Sequence, residues 1–371
     1  MTGEHLLYGV EGSYYAAKLR CYLIKKNIPF SEILADRRAF DEVILPRVGY
    51  PIVPIVITPQ DEVLQDTTLI IDALEDRFPE NPLIPTEAAT QFIARLIELY
   101  ADEWFKIPAL HYRWHYDSEF AIQMMGENND PGATPDQQRR IGAKIAAGFQ
   151  SWPKHLGVDI RTQDAVERLL AVYLRQLDKH LSTSGYILGK KPSLADCALM
   201  GPLYAHLYRD PYSGAMIRRL APSVCRWINQ MREPAERPRE DLGKSLPDVF
   251  INLLRQLARD YVPMISTAIR TADNYLSENP HNDEALPRYL GKHPFTIGRG
   301  ETFEAHGERS VHTVEIWKLQ RLLQRYKDLP SAQKELVSET ADAVGAAPLL
   351  EISWNNTIHH REFKFHAQSS R

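Results

Sequence analysis

The chain has 371 residues and a mass of 42.5 kDa, with 44% hydrophobic and 25% charged residues. That is the balance of a soluble globular protein and the length of two or three domains. A net charge of −4 and a pI near 6.4 argue against a phosphate-backbone binder, which needs a basic excess or stripe, so no nucleic-acid partner is expected. No apolar run approaches the roughly 18–20 residues of a membrane helix. The start, Met1-Thr2-Gly3-Glu4-His5, has neither the positive charge nor the apolar stretch of an export signal. A cytoplasmic location and no membrane partner are therefore expected. Cys21, Cys197 and Cys225 lie far apart without a C-x-x-C pair, which excludes a zinc ribbon or dithiol motif and fits a reducing compartment.

In chain order, Leu6 to Val10 predicts a strand and residues 14–27 a helix, with Leu19, Tyr22 and Leu23 at helical spacing. Asn27-Ile28-Pro29 ends that helix, because proline cannot continue the hydrogen-bond ladder. Phe30 to Leu34 alternates apolar and polar residues, as a second strand does. A short helix around 38–46 follows. Ile55 to Thr58 and Glu62 to Leu64 flank Pro59-Gln60-Asp61, a hairpin signal, and Thr67 to Arg77 predicts a helix. The order is β-α-β-α-β-β-α, with the first two strands parallel and the hairpin antiparallel. Phe78-Pro79-Glu80-Asn81-Pro82-Leu83-Ile84-Pro85 is a stiff, proline-rich linker.

Residues 87–235 are helical: Phe92, Leu96 and Leu99 share one face, as do Leu170, Leu174, Leu177 and Leu181. The polar stretch Gly126 to Gln138 reads as an exposed loop. Ser193 and Asp196 form a capping-box-like pair at the start of an apolar helix. In residues 236–371 a helix is expected from Ser245-Leu246-Pro247-Asp248, with Phe250, Leu254, Leu257 and Tyr261 on one face. Another carries Ile316, Leu319, Leu323 and Tyr326. Residues 278–310 read as loop, and Leu349 to Phe365 fits strand or helix. There is no internal repeat.

Four motifs stand in order along this frame. Ser13-Tyr14-Tyr15-Ala16-Ala17-Lys18-Leu19-Arg20 resembles the Ser-Pro-Phe-x-x-Arg/Lys-Val-Arg start of helix one in the glutathione transferases. Ile52-Val53-Pro54-Ile55 resembles their Val-Pro approach to strand three, and Val63-Leu64-Gln65-Asp66-Thr67 their Val-Leu-x-Glu-Ser before helix three. Gly185 to Gly189 with Ser193-Leu194-Ala195-Asp196 resembles their second-domain motif. The resemblance covers roughly residues 5–235. It implies a thioredoxin-like α/β domain (residues 1–80) that binds glutathione. An all-α acceptor-substrate domain (87–235) follows, and then a mostly helical extension of unknown role (236–371).

The resemblance also implies roles. Val53 and Pro54 would present main-chain groups to the cysteinyl part of glutathione, as an open strand edge pairs with an extended peptide. Gln65, Asp66 and Thr67 would hold the γ-glutamyl end, its carboxylate at orphaned helix N–H groups and its ammonium at Asp66. The plain structural reading of Asp66 and Thr67 is an ordinary N-cap. Ser13 would stabilise the thiolate. Lowering a thiol by two pKa units needs about 2.7 kcal/mol. A helix N-terminus contributes about 0.3–1 kcal/mol, up to about 2 when partly buried, and a hydroxyl donating to an anion about 1.5–3 kcal/mol. Tyr14 and Tyr15 replace the family's Pro-Phe. Either phenol can donate to sulfur instead, and Tyr14 can also meet the substrate, so which hydroxyl acts stays open. Cys21 lies well inside helix one, away from the family's nucleophile position, and reads as a structural thiol. This disfavours peroxidase-like or disulfide-reducing chemistry.

A cation for the glycine carboxylate is sought among Arg37, Arg38 and Arg47, with Arg38 or Arg47 preferred. In the aromatic run from Tyr100 to Tyr116, Trp104 and Tyr112 are candidate walls of an acceptor pocket, against the plainer reading of helix-core packing. His359, His360 and His366 lack a further ligand at defined spacing, so no metal is expected. Gly298-Arg299-Gly300 is too short for a phosphate loop. The expected function is a cytoplasmic, homodimeric enzyme that uses glutathione as co-substrate against a hydrophobic electrophile. Conjugation, ether cleavage, dehalogenation and isomerisation all stay open. The competing reading is a non-catalytic binding or scaffold protein with the same fold.

Overall fold

The chain opens with β1 (His5–Gly9), α1 (Tyr14–Lys26) and β2 (Phe30–Leu34) in a computed structural model that describes residues 3–234, 246–279 and 284–369. The expected boundary at 235–236 and the helix start at Ser245 lie outside the described residues. Contacts divide the chain into two units. The first holds Met1–Ile84, Ala109–Trp152 and Leu181–Gly243; the second holds Pro85–Pro108, Pro153–His180 and Lys244–Arg371.

In the first unit, α1 buries Ala16, Ala17, Leu19, Tyr22 and Leu23. It stops at Asn27, which turns left-handed (φ 57°) and donates its N–H to the Leu23 and Ile24 carbonyls. Short helices α2 (Arg37–Ala39) and α3 (Leu45–Val48) flank a π-helical turn, in place of the expected single helix around 38–46. Then come β3 (Ile55–Ile57), β4 (Val63–Gln65) and α4 (Thr67–Arg77). The sheet order is β2-β1-β3-β4. β1 runs parallel to β2 and antiparallel to β3, with Leu7 opposite both Glu32 and Val56. This is the thioredoxin-like topology that the motifs imply. Every residue of β3 is buried, whereas β2, at the sheet edge, is half exposed.

The chain continues through α5 (Ala88–Leu99), a π-helical stretch Tyr100–Trp104, α6 (Lys106–His115), α7 (Ser118–Asn129), α8 (Pro135–Ala146), α9 (Trp152–His155) and α10 (Gln163–Ser184). After these come α11 (Leu194–Met200), a π-helical stretch Gly201–Tyr208, α12 (Pro211–Leu220) and α13 (Pro222–Met231). The stretch expected as a loop from Gly126 to Gln138 is mostly helix. Gly126 serves contact instead of a turn: a Cβ there would lie 1.8 Å from the Gln138 carbonyl oxygen, and one on Gly142 equally close to that of Ile122. The α7 and α8 backbones meet where only glycine fits. At the start of α11 the fully buried Asp196 accepts from Ser193 N–H (2.9 Å), Ser193 Oγ (2.8 Å), Ile187 N–H (2.9 Å) and Trp227 Nε1 (2.9 Å).

The second unit is organised around α14 (Asp248–Glu278), which buries Phe250, Leu254, Leu257 and Tyr261 as the spacing predicts. The region expected as loop is a hairpin of β5 (Tyr289–Ile297) and β6 (Ala305–His312). Its turn is held by Asp260 of α14, which accepts from the Gly298 and Arg299 N–H groups, each at 2.8 Å. α15 (Thr313–Lys327), α16 (Ser331–Ala343) and α17 (Ala347–Leu350) follow. The chain ends in a hairpin of β7 (Asn356–Arg361) and β8 (Lys364–Ser369), so the extension combines helices with strands.

Inside this unit lies a buried ionic core. Lys318 pairs with Asp102 (2.6 Å) and Glu103 (3.3 Å), Lys106 with Glu103 (2.6 Å), and Arg309 with Glu315 (2.8 Å). Burial pushes Glu315 up, and Arg309 offsets this only in part. Burial would also raise Glu103, but Lys106 and Lys318 outweigh it and hold that carboxyl below its usual value.

Candidate active site

Ser13 is the N-cap of α1. It is extended (φ −79°, ψ 127°), and its Oγ accepts from the Ala16 N–H at 3.3 Å. The hydroxyl proton therefore remains available for donation. The Val53–Pro54 peptide bond is cis and leads into β3. At the end of β4, Gln65 is buried opposite Ile55. Asp66 follows with a positive φ (68°) and ψ 121°, outside the left-handed helical region. Its Oδ1 accepts from the Thr68 N–H (2.9 Å) and the Leu69 N–H (3.3 Å), so Asp66 caps α4, and Thr67 opens that helix.

Tyr50, absent from the sequence reading, belongs beside this junction. Burial and the Asp66 carboxylate push its phenol up to about 12. The only local signal for it is its place just before Pro51-Ile52-Val53-Pro54.

The three candidate cations all have carboxylate partners: Arg37 with Asp41 (3.6 Å), Arg38 with Glu42 (2.9 Å) and Arg47 with Asp61 (2.7 Å). Arg38 is exposed. Tyr14 is buried and meets the His206 ring edge-on at 5.2 Å, while Tyr15 is the half-buried neighbour. Adjacent helix residues point about 100° apart, and the π-helical stretch Gly201–Tyr208 takes the Tyr14 side.

The aromatic candidates also pack inward. Tyr112 is buried among Tyr116 and His111. Trp104, in the second unit, is 1% exposed and lies edge-on to Tyr261 at 6.0 Å. Cys21 is buried in α1 with its Sγ 3.5 Å from the Met231 carbonyl. Burial and the Cys21 thiol beside it push Cys197 well up, the opposite of a reactive thiolate. A cleft of about 560 Å³ opens elsewhere in the first unit, lined by residues including Arg20, Cys21, Glu32, Tyr204 and Arg232. None of Ser13, Pro54, Asp66 and Thr67 lines it.

The sequence reading also missed what holds the loop before α1. Arg113 of α6 donates through Nε (2.7 Å) and Nη2 (2.8 Å) to Asp210, and through Nη2 to the Ala205 carbonyl (2.9 Å). Its Nη1 donates to the Gly12 carbonyl (3.1 Å) and to His206 Nε2 (2.8 Å). Burial, with Arg113 beside it, pushes His206 well below its ordinary value, so the ring is neutral and accepts. A charged side chain in the run His111-Tyr112-Arg113-Trp114-His115 was the one available signal.

Among the described residues, no group of His, Cys, Asp and Glu could hold a metal, and no helix is long and apolar enough to cross a membrane.

A four-stranded sheet of this order, with a cis-proline before β3 and helix N-termini at Ser13 and Thr67, defines a thioredoxin-like domain followed by helices. Residues 7–82 match the family model of the glutathione S-transferase N-terminal domain, and residues 151–234 that of its C-terminal domain. The chain therefore carries both glutathione S-transferase domains in the family's order. No curated protein matches the sequence.

Solved structures similar to it include the β-etherase LigF from Sphingobium sp. strain SYK-6, at 18% identity over 68% of this chain and 100% of that one (TM-score 0.45). A glutathione S-transferase from Rhodospirillum rubrum F11 is 17% identical over 67% and 99% (0.41). A glutathione S-transferase from Methylobacillus flagellatus KT with GSH bound is 20% identical over 67% and 98% (0.36).

Proposed function

We propose that this protein is a glutathione-dependent transferase whose Ser13 hydroxyl stabilises the glutathione thiolate for attack on an electrophilic carbon of a hydrophobic acceptor. The observation that carries the reading is the placement of Ser13 at the N-terminus of α1 and of Asp66 and Thr67 at the N-terminus of α4. Both sites fall in the segment that matches the family's N-terminal domain. Ser13 acts through its free O–H, and the first turn of α1 adds its partial positive charge. The γ-glutamyl carboxylate docks at Thr67, the ammonium meets Asp66, and the cysteinyl main chain pairs beside Val53 and Pro54, with Gln65 and Tyr50 flanking. The Asp66 cap bonds to the Thr68 and Leu69 N–H groups are accepted by Oδ1. Arg38 or Arg47 meets the glycine carboxylate. Tyr15 is the second candidate donor to sulfur. The protein works in the cytoplasm as a homodimer.

Calorimetric titration with reduced glutathione tests this. Saturable binding is expected, and D66A weakens it about 10- to 100-fold, the loss that one charged hydrogen bond of about 1.5–3 kcal/mol gives. A parent chain that binds no glutathione would overturn the reading. Binding without turnover on any electrophile would make the chain a binding protein. If S13A leaves the pH of thiolate formation unchanged, the role passes to Tyr15.

A further inference from the structure

We propose that Arg113 is a positioning residue for the Ser13 hydroxyl, an inference that rests on the glutathione reading above. The peptide joining Gly12 to Ser13 is held from both sides. Its N–H donates to the Val10 carbonyl at 3.0 Å, and its C=O accepts from Arg113 Nη1 at 3.1 Å. A peptide plane with both polar atoms engaged has little freedom to rotate, and the Ser13 Cα hangs directly from it.

Arg113 is itself fixed. It is 3% exposed, and its guanidinium spends every N–H donor on Asp210, His206, Ala205 and Gly12. The neighbours of Ser13 are held by the same helices. Glu11 accepts from the Tyr204 hydroxyl and lies 3.7 Å from Arg209, and Tyr14 packs on the His206 ring that Arg113 contacts. Gly12 lies under the ends of two side chains: a Cβ there would lie 2.5 Å from Met124 Sδ and 2.8 Å from Arg209 Nη1.

The consequence is chemical. A hydroxyl strengthens a thiolate only when its O–H points at sulfur, and that direction follows the Ser13 backbone. Lysine cannot replace the fork. It is a point charge with three donors, enough to answer Asp210 but not to hold Asp210, His206 and two carbonyls together.

The test compares the parent chain with R113K, which keeps the buried charge balance, and with the harsher R113A. Hydrogen exchange is followed in peptides spanning residues 10–16, with α4 as internal control. The thiolate absorbance of bound glutathione is followed against pH. In R113K the loop peptides are expected to exchange about tenfold faster while α4 is unchanged. The thiolate midpoint is expected to rise by about one pH unit, a tenfold loss of thiolate at fixed pH. A folded R113K with parental exchange and parental midpoint would overturn the clamp while leaving the glutathione reading intact. A parent chain that binds no glutathione would overturn that reading, and with it the role of Arg113 on sulfur.

Discussion

Each unit buries a cluster of charges, and the two clusters are built differently. In the first, Arg113 gives all its donors to named acceptors, two of them main-chain carbonyls. In the second, three acids face three bases, yet the Tyr100 and Tyr261 hydroxyls, one oxygen of Glu315 and the Arg309 Nε have no hydrogen-bond partner among the described residues. An arginine with every donor answered fixes geometry, although His206 Nδ1 beside it has no hydrogen-bond partner among the described residues. A network with many unanswered polar atoms carries their desolvation cost. The first cluster therefore has the form of a positioning device, with a loop carbonyl as one of its ends. The second has the form of a seam that joins Arg309, Glu315 and Lys318 of the C-terminal extension to Asp102, Glu103 and Lys106.

The largest expected effect tests that seam. E315A leaves Arg309 charged in a site where both side chains are fully buried, and it should cost about 3–5 kcal/mol of stability by urea unfolding. The double change R309M/E315L should recover most of that loss, because an apolar pair removes both desolvation penalties at once. A double variant as unstable as E315A would show that the seam is a specific network after all and would erase the contrast. The corresponding exchange at Arg113 and Asp210 has no such route to recovery, since the Gly12 carbonyl still loses its donor.

A smaller effect separates the clusters by pH. In the second unit His293 is buried, and burial, with Arg309 nearby, pushes it down to about 4. Between pH 6.5 and 4 the unfolded chain takes up a proton at this position and the native chain does not. Stability is therefore full above pH 6.5 and falls as pH drops toward 4, by about 3 kcal/mol from this residue. H293Q should flatten that part of the acid limb when urea midpoints are compared at a series of pH values. An unchanged slope would assign the acid loss to other buried histidines. His206 is the first unit's counterpart, pushed down by burial and by Arg113.

The sequence exposed whatever is decided locally. Ser13, Asp66 and Thr67 announce themselves because capping chemistry needs only the next few residues. The α4 boundaries, Thr67 and Arg77, coincide with the pattern for the same reason. The β5–β6 hairpin was hidden. Its register shifts between Tyr289 and Lys292, and Gly291, His293 and Pro294 interrupt the alternation that marks a strand. Gly126 signalled a turn and in fact marks a close helix crossing, which depends on Gln138 across the hairpin. Arg113, His206 and Asp210 could not be read because their pairing is set by folding alone. The packing of Tyr14 on the His206 ring was hidden in the same way.

The smallest effect concerns charges at the other extreme of exposure. Arg38 stands 80% exposed and pairs with Glu42 one helical turn away, a solvent-screened contact that adds little to stability. R38A should leave the melting temperature where it is. If Arg38 meets the glycine carboxylate, R38A should weaken glutathione binding by about two- to fivefold, the modest effect of a solvent-screened pair. Glutathione ethyl ester, with that carboxylate masked, should bind the parent and R38A alike. Should R38A titrate like the parent and R47A show the loss instead, the cation is Arg47. Its partner Asp61 lies in the turn before β4, so losing Arg47 would also loosen the approach to Asp66, and the ester would then discriminate between parent and variant as well. The ester thus distinguishes a direct contact from a loop effect.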